Sequence, residues 1–380
     1  MNATTFTEPV VVALSGGVDS SVAALLLKQA GASVIGLHMT NWDDADGHCN
    51  AADDLADARR VAELLDVPFQ HVNFTAEYRD QVFAQFLADY AAGLTPNPDV
   101  LCNRDIKFGV MLDYARRLGA ATLATGHYAA THKAQGSTEL MIPADRHKDQ
   151  TYFLHAIEQQ ALAASVFPLA DLSKREVREL AHRYGLPTRA KKDSTGICFI
   201  GERPFQAFLE TYLPGQPGPM RTLDGRTVGQ HRGAAYYTVG QRKGLGIGGV
   251  AGAIDAPWYV ADRDMDENTV YVVQGDDHPR LRGSRLSAGD WHWIAGTAPS
   301  ELAATSLRAR ARIRHGHPPA LCTATRAADG LVNIAFDEPQ WAIAPGQYVV
   351  LYSDDTCLGG GTIRSAETLA DALDQTAAAG

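Results

Sequence analysis

The hydrophobic pattern changes character along the chain. Up to Gly126, short apolar runs alternate with stretches of helical periodicity. Val10-Val11-Val12-Ala13-Leu14 is apolar throughout and rich in valine, as a strand buried on both faces of a parallel sheet requires. A helix is expected from Val18 to Lys28, a strand over Ala32–Met39, and a helix over Ala52–Asp66 with Leu55, Ala58, Ala62 and Leu65 on one stripe. Val67–Phe74 predicts a third strand, and Ala76–Ala92 a helix burying Val82, Phe83, Phe86, Leu87 and Tyr90. A helix over Lys107–Leu118 and a strand over Ala121–Gly126 complete the series. Strands alternating with helices predict an α/β domain with a doubly wound parallel sheet.

Beyond this, Leu140–Asp145 reads as part of a hairpin. Ser173-Lys174-Arg175-Glu176 has the form of a capping box, for a helix stopped by Gly185. The composition shifts near Arg203. Residues 204–279 are dense in glycine, with Gly240-Gln241-Arg242-Lys243-Gly244-Leu245-Gly246-Ile247-Gly248-Gly249 too glycine-rich for regular structure. From 280 to 366 short strands recur between Gly, Pro and Asp turns, which predicts a small β-barrel. Three units are therefore expected: an α/β unit over 1–203, a small glycine-rich unit over 204–279 and a barrel over 280–366, with a tail over 367–380.

The turn after the first strand carries the first chemistry. Ser15-Gly16-Gly17-Val18-Asp19-Ser20-Ser21 breaks the strand with two glycines and opens a helix, so uncapped N–H groups and the positive end of the helix dipole face the turn. That is an anion site. It lacks the lysine of a Walker A loop and the spacing of a dinucleotide fingerprint. It resembles the pyrophosphate loop (PP-loop) of ATP pyrophosphatases, which cleave ATP between the α and β phosphates and place AMP on a substrate oxygen. In a doubly wound sheet ligands bind beyond the carboxyl ends of the strands, so Ser15, Met39 and Gly126 are expected around one crevice.

Two cysteines stand in unusual settings. In Thr95-Pro96-Asn97-Pro98-Asp99-Val100-Leu101-Cys102-Asn103 the two prolines predict an extended turn, with Asp99 and Cys102 on or just past it. Cys198 follows a basic run containing Arg189, Lys191 and Lys192, and Arg104 and Lys107 follow Cys102; nearby positive charge lowers a thiol pKa. A lone loop cysteine can equally be an inert thiol. Cys322 and Cys357 lie in strand-like runs and read as core residues, and Cys49 reads as a loop residue without a second metal ligand at zinc spacing. No Cys-x-x-Cys occurs, which argues against a zinc ribbon and an iron–sulfur cluster. In Leu307-Arg308-Ala309-Arg310-Ala311-Arg312-Ile313-Arg314-His315 strict alternation places four arginines on one strand face with no acid between them, which favours a phosphate-backbone partner.

Composition narrows the class. The 380 residues carry a formal charge of −10, which excludes a uniformly basic coat but not local basic patches. Met1–Pro9 lacks the features of a signal peptide, no apolar run reaches membrane-spanning length, and five cysteines do not suggest a secreted disulfide framework. A reducing cytoplasm is the expected location.

The motifs together resemble the bacterial tRNA-specific 2-thiouridylase family (MnmA/TrmU). They are Ser-Gly-Gly-Val-Asp-Ser-Ser, Thr-Pro-Asn-Pro-Asp-Val-Leu-Cys-Asn, Ala-Thr-Gly-His-Tyr, Lys-Asp-Gln-Thr-Tyr-Phe-Leu, Asp-Ser-Thr-Gly-Ile-Cys-Phe-Ile-Gly, the glycine-rich run after Gly240 and the late Cys-Leu-Gly-Gly-Gly. His315 stands where the family pattern has a tyrosine. The resemblance implies ATP-dependent adenylation of O2 of uridine 34 in the tRNAs for Lys, Glu and Gln, then replacement of that oxygen by sulfur. It implies ATP binding, with Mg²⁺, by Ala13, Leu14, Ser15, Gly16, Gly17, Val18, Asp19, Ser20, Met39 and Gly126. Asn97, Pro98 and Asp99 would meet the target base, and Lys148, Asp149, Gln150, Arg314 and His315 the rest of the tRNA. Cys198 would carry a persulfide received from a sulfur-donor protein, Cys102 would be the second catalytic cysteine, Asp99 a general acid or base, and a reductant would reset a Cys102–Cys198 disulfide. Two alternatives remain at this stage. Another adenylating PP-loop enzyme, such as an amidotransferase or an argininosuccinate-type ligase, would not need the two cysteines. A non-catalytic tRNA-binding protein would not convert ATP to AMP.

Overall fold

A computed structural model describes residues 8–42, 51–134, 136–193 and 205–373. Seven strands arise before residue 167: β1 (Val10–Ala13), β2 (Val34–Thr40), β3 (Phe69–Asn73), β4 (Thr122–Ala124), the hairpin β5 (Ala130–Ala134) and β6 (Ser137–Met141), and the two-residue β7 (Ser165–Val166). Five form a parallel sheet in the order β3-β2-β1-β4-β7. Val10, Val11 and Val12 are fully buried, as a central parallel strand demands. The chain leaves β1 toward β2 on one side and returns at β4 on the other, so the crevice for a ligand opens beyond the carboxyl end of β1.

The helices are α1 (Val18–Gln29), α2 (Ala51–Leu65), α3 (75–91), α4 (98–117) and, opened by the expected capping box, α5 (Lys174–Arg183). Ser173 accepts from the Glu176 N–H, and the Glu176 carboxylate accepts from the Ser173 N–H at 2.8 Å. Helix α4 corrects the expected extended turn. Pro98 sits at its first position, where no N–H is needed, and Asn97 caps it by accepting from the Asp99 N–H at 3.2 Å. The helix widens to π-helical spacing over Cys102–Val110. Asp99 and Cys102 therefore ride on the first turns of a helix, not on a loop.

After helix α6 (Phe205–Tyr212), strands β8 (Gly218–Arg221), β9 (Thr227–His231), β10 (Trp258–Asp264) and β11 (Thr269–Gln274) make a four-stranded sheet in the order β10-β11-β8-β9. The last part holds β12 (Arg282–Trp293), β13 (Ser306–Arg312), β14 (Ala320–Arg326), β15 (Val332–Trp341), β16 (Tyr348–Ser353) and β17 (Thr356–Thr368). Their order β12-β15-β14-β13-β16-β17 closes through β12–β17 pairing into a six-stranded barrel. The β5–β6 hairpin leaves the α/β region to join it, with Met141 opposite Thr356 and Leu140 opposite Cys357. The segment that follows the parallel sheet's β4 is thus tied to the barrel by backbone pairing.

Three parts of the molecule meet at residues 93–97, just ahead of α4. Arg263 of β10 donates to the Gly93 carbonyl at 2.7 Å, the Thr95 N–H donates to the Pro345 carbonyl at 2.9 Å, and the Gln347 amide donates to the Thr95 carbonyl at 2.8 Å. The start of α4 is fixed from two sides.

Candidate active site

The turn after β1 is shaped by close backbone packing. Gly16 has φ +80°, and a Cβ there would lie 2.3 Å from the Asp54 carbonyl oxygen of α2. A Cβ on Gly126 would lie 2.6 Å from the Ser20 nitrogen, so glycine is what lets the end of β4 approach the start of α1. Gly17 caps α1 without a side chain, leaving the turn to backbone N–H groups. Ser15 and Ser20 hydroxyls lie 3.1 Å apart, and the Ser21 hydroxyl donates to the Gly17 carbonyl at 2.7 Å. Leu14 and Val18 have buried side chains, so only their backbone is available to a nucleotide. Met39 lies near the end of β2, opposite Val72, and Ala13 opposite Leu37.

The lysine absent from the turn is supplied from elsewhere in the chain. Lys174, the first residue of α5, bonds both carboxylate oxygens of Asp19 at 2.7 Å and pairs with Asp193 at 2.8 Å. Lys191 donates to the Gly16 carbonyl at 3.0 Å while pairing with Asp54 and Asp57. Tyr128 donates its hydroxyl proton to Asp19 at 3.0 Å. Asp193 is also held by Lys148 at 2.9 Å and Arg178 at 2.5 Å. Burial alone would raise its carboxyl, but the bonds and charges of Lys174 and Lys148 hold it well below the usual carboxylate range. Cys198 and Cys49 lie outside the described residues; Asp193 ends the segment leading to Cys198.

Cys102 is 1% exposed. The Asn41 amide, the first residue beyond β2, points Nδ2 at its Sγ from 4.0 Å. The thiol thus lies beside the residue that follows β2, the strand next to β1. Burial raises the Asp99 carboxyl, with the Lys107 charge acting against it. Lys107 donates to the buried Asn103 at 2.9 Å, and Asn103 donates to the Phe153 carbonyl at 3.1 Å. His127 is driven well below the ordinary imidazole range by burial and, next, by the Lys107 charge; its Nδ1 lies 2.8 Å from the Thr125 hydroxyl. Arg104 is occupied by Asp105 through two contacts, so of the two cations after Cys102 only Lys107 is directed into this cluster.

The expected RNA-facing residues divide. Asp149 is 2% exposed and ion-paired at 2.9 Å with Arg312, which is itself 6% exposed. It cannot touch RNA in this arrangement and instead joins the α/β part to the barrel. Gln150 accepts from the Tyr128 N–H at 2.9 Å. The arginine strand is corrected likewise. Leu307, Ala309, Ala311 and Ile313 are buried as expected, but Arg308 pairs with Asp337 of β15, Arg312 turns inward, and Arg314 donates to the Val239 carbonyl at 2.9 Å beneath Trp341. The acids missing from β13 come from β15, as Asp337, and from the α/β part, as Asp149. His315 is exposed, with its ring 4.4 Å from Phe153.

Residues 8–202 match the tRNA methyl transferase HUP domain, 206–274 the tRNA methyl transferase PRC-barrel domain and 284–363 the aminomethyltransferase beta-barrel domain. The tRNA-specific 2-thiouridylase MnmA of Nitrosomonas eutropha is 54% identical over 93% of this chain and 98% of its own length. Its counterparts in Ralstonia pickettii and Burkholderia pseudomallei are 54% identical over 94% of this chain and 96% and 94% of theirs. The chain belongs to the tRNA-specific 2-thiouridylase family. In this 2-thiouridylase-family site, Asn41 and Lys174 escape a reading by motif. Asn41 was open to discovery by the strand-end rule that picked out Met39 two residues earlier. Lys174 was hidden inside a helix-capping signal, and its partner Asp19 lies 155 residues away.

Proposed function

We propose that this chain is a tRNA-uridine 2-sulfurtransferase, which adenylates O2 of uridine 34 in the tRNAs for Lys, Glu and Gln and replaces that oxygen with sulfur. The observation that supports the reading is the buried Cys102 thiol beside Asn41, the residue that follows β2, next to the strand of the glycine turn. The close relatives are named for the same activity on tRNA.

The glycine turn and the start of α1 bind the phosphates of ATP through backbone N–H groups, and Ser15, Asp19 and Ser20 line it. Among the described residues no cluster of three acidic, histidine or cysteine side chains forms a metal cage. A Mg²⁺ arriving with ATP would instead use Asp19 and phosphate oxygens, and would neutralise charge on the pyrophosphate. O2 of the uracil attacks the α phosphate, and pyrophosphate leaves. A persulfide on Cys198, loaded by a cysteine desulfurase or a sulfur-relay protein, brings the sulfur. Cys102 thiolate attacks the Cys198 sulfur and expels hydrosulfide, which adds at C2; AMP departs with the original oxygen. The resulting Cys102–Cys198 disulfide needs a two-electron thiol reductant. Asp99, whose buried carboxyl holds its proton more tightly than usual, serves as acid or base beside Cys102. Asn97 to Asp99 present the first turn of α4 to the base, while Lys148 and His315 face the flanking RNA and Gln150, Arg314 and Asp149, each tied to the protein, hold that surface in place.

The test incubates the protein with unmodified tRNA, ATP and a persulfide donor. AMP, pyrophosphate and 2-thiouridine at position 34 are expected together. Release of ADP, or undiminished thiolation by a Cys198→Ser variant, overturns the mechanism.

A further inference from the structure

We propose that Asn41 selects uracil, accepting the N3–H of the target base on its Oδ1 while its Nδ2 donates to the Cys102 sulfur. This rests on the sulfurtransferase reading and adds a specificity-determining residue to it. The Oδ1 atom of Asn41 is shielded from solvent and has no hydrogen-bond partner among the described residues. A buried amide oxygen left without a donor is costly, so folded proteins rarely leave one uncompleted by water, an ion or a ligand. Its Nδ2 lies 4.0 Å from Cys102 Sγ, so the orphaned oxygen belongs to an amide that adjoins the attacking thiol.

Uracil chemistry supplies the missing donor in that position. C2, the carbon that receives sulfur, is bonded directly to N3, whose hydrogen lies in the ring plane. A base placed with C2 toward Cys102 therefore directs N3–H at an acceptor beside the sulfur. Cytosine carries a lone pair on N3 and would set it against the Oδ1 lone pairs. Turning the amide over would aim Oδ1 at the sulfur, which disfavours a thiolate, so the two duties fix one orientation.

The chain next to Asn41 is anchored in the core. Trp42 is 5% exposed and packed edge-on against Phe83 at 4.7 Å, Tyr78 at 6.4 Å and Phe208 at 6.5 Å, with the Arg79 guanidinium over its ring at 5.3 Å. That aromatic cluster fixes the backbone that carries the amide, as discrimination by a single hydrogen bond requires.

The test is a cycle of two perturbations, read as kcat/KM for 2-thiolation of tRNA carrying either uridine or N3-methyluridine at position 34. With the unaltered enzyme the methyl group should cost about 10–100-fold. Asn41→Ala should lose about as much on uridine and little further on N3-methyluridine, while binding ATP normally. Asn41→Asp keeps the acceptor, so it should keep the methyl penalty although its overall rate falls. Penalties that simply multiply in Asn41→Ala, or full activity of that variant on uridine, overturn the proposal. Absence of 2-thiouridine with the unaltered enzyme overturns the sulfurtransferase reading itself, and this one with it.

Discussion

Two groups in the candidate site owe their character to burial. Cys102 is 1% exposed on a helix that Asn97 caps, and Asp99, one turn earlier, has its carboxyl raised chiefly by desolvation. Such a thiol has no part in the proposed nucleotide site, because it rides on α4 and the glycine turn belongs to β1 and α1. Adenylation and sulfur transfer should therefore separate at this residue. Cys102→Ser is expected to form no 2-thiouridine yet still to release about one equivalent of pyrophosphate per enzyme with tRNA present. Rapid-quench measurement of pyrophosphate checks this; a variant that releases none would place Cys102 in the adenylation step instead. The arginines of β13 teach the complementary lesson. Their alternation was legible in the sequence, but their partners Asp337 and Asp149 are 29 and 163 positions away, and pairing at that separation leaves no local trace.

At the scale of elements, the parallel sheet was readable because its strands are buried on both faces and so appear as unbroken apolar runs. The start of α4 was not. Two prolines in three residues forbid a helix interior, yet Pro98 occupies the one helical position where its missing N–H costs nothing. Asn97 then decides where the helix begins. Asn97→Ala should cost about 1 kcal/mol in urea denaturation through the lost cap. It should also loosen Asp99 and Cys102 and so lower the thiolation rate by more than it lowers ATP affinity. Equal losses in both would show that α4 and the phosphate turn are not independent parts. The β5–β6 hairpin was only half legible: Leu140–Asp145 signalled a hairpin, but its pairing with β17 depends on a barrel more than 200 residues further on.

At the scale of the whole molecule, the α/β part and the barrel share a buried seam. His155 lies in it, 1% exposed, with Nδ1 donating to the Tyr152 carbonyl at 2.7 Å and its ring 5.0 Å from Tyr348. Burial pulls its pKa down to about 4, against the raising effect of that hydrogen bond. The unfolded chain binds this proton near the ordinary value of about 6.5, so the neutral ring favours the fold fully above that pH and loses about 3 kcal/mol as pH falls to about 4. His155→Gln keeps a donor and removes the titration; its melting temperature should fall less steeply over that interval, as calorimetry at stepped pH will show.

The Asp149–Arg312 pair is the sharper test of how the seam works, because two opposite roles predict opposite phenotypes. If Asp149 met RNA, Asp149→Asn would raise the KM for tRNA and leave stability alone. Burial of both partners dictates the reverse. Removing one charge strands the other inside the protein, at a cost of about 3–5 kcal/mol, whereas exchanging both for apolar residues of similar size is often neutral. Asp149→Asn should therefore unfold at markedly lower urea, and Asp149→Leu with Arg312→Met should recover most of that loss. The tRNA KM of the double variant should stay near that of the parent, since Lys148 and His315, the residues left to face RNA, keep their supports. A double variant as stable as the parent but unable to bind tRNA would return Asp149 to the RNA surface.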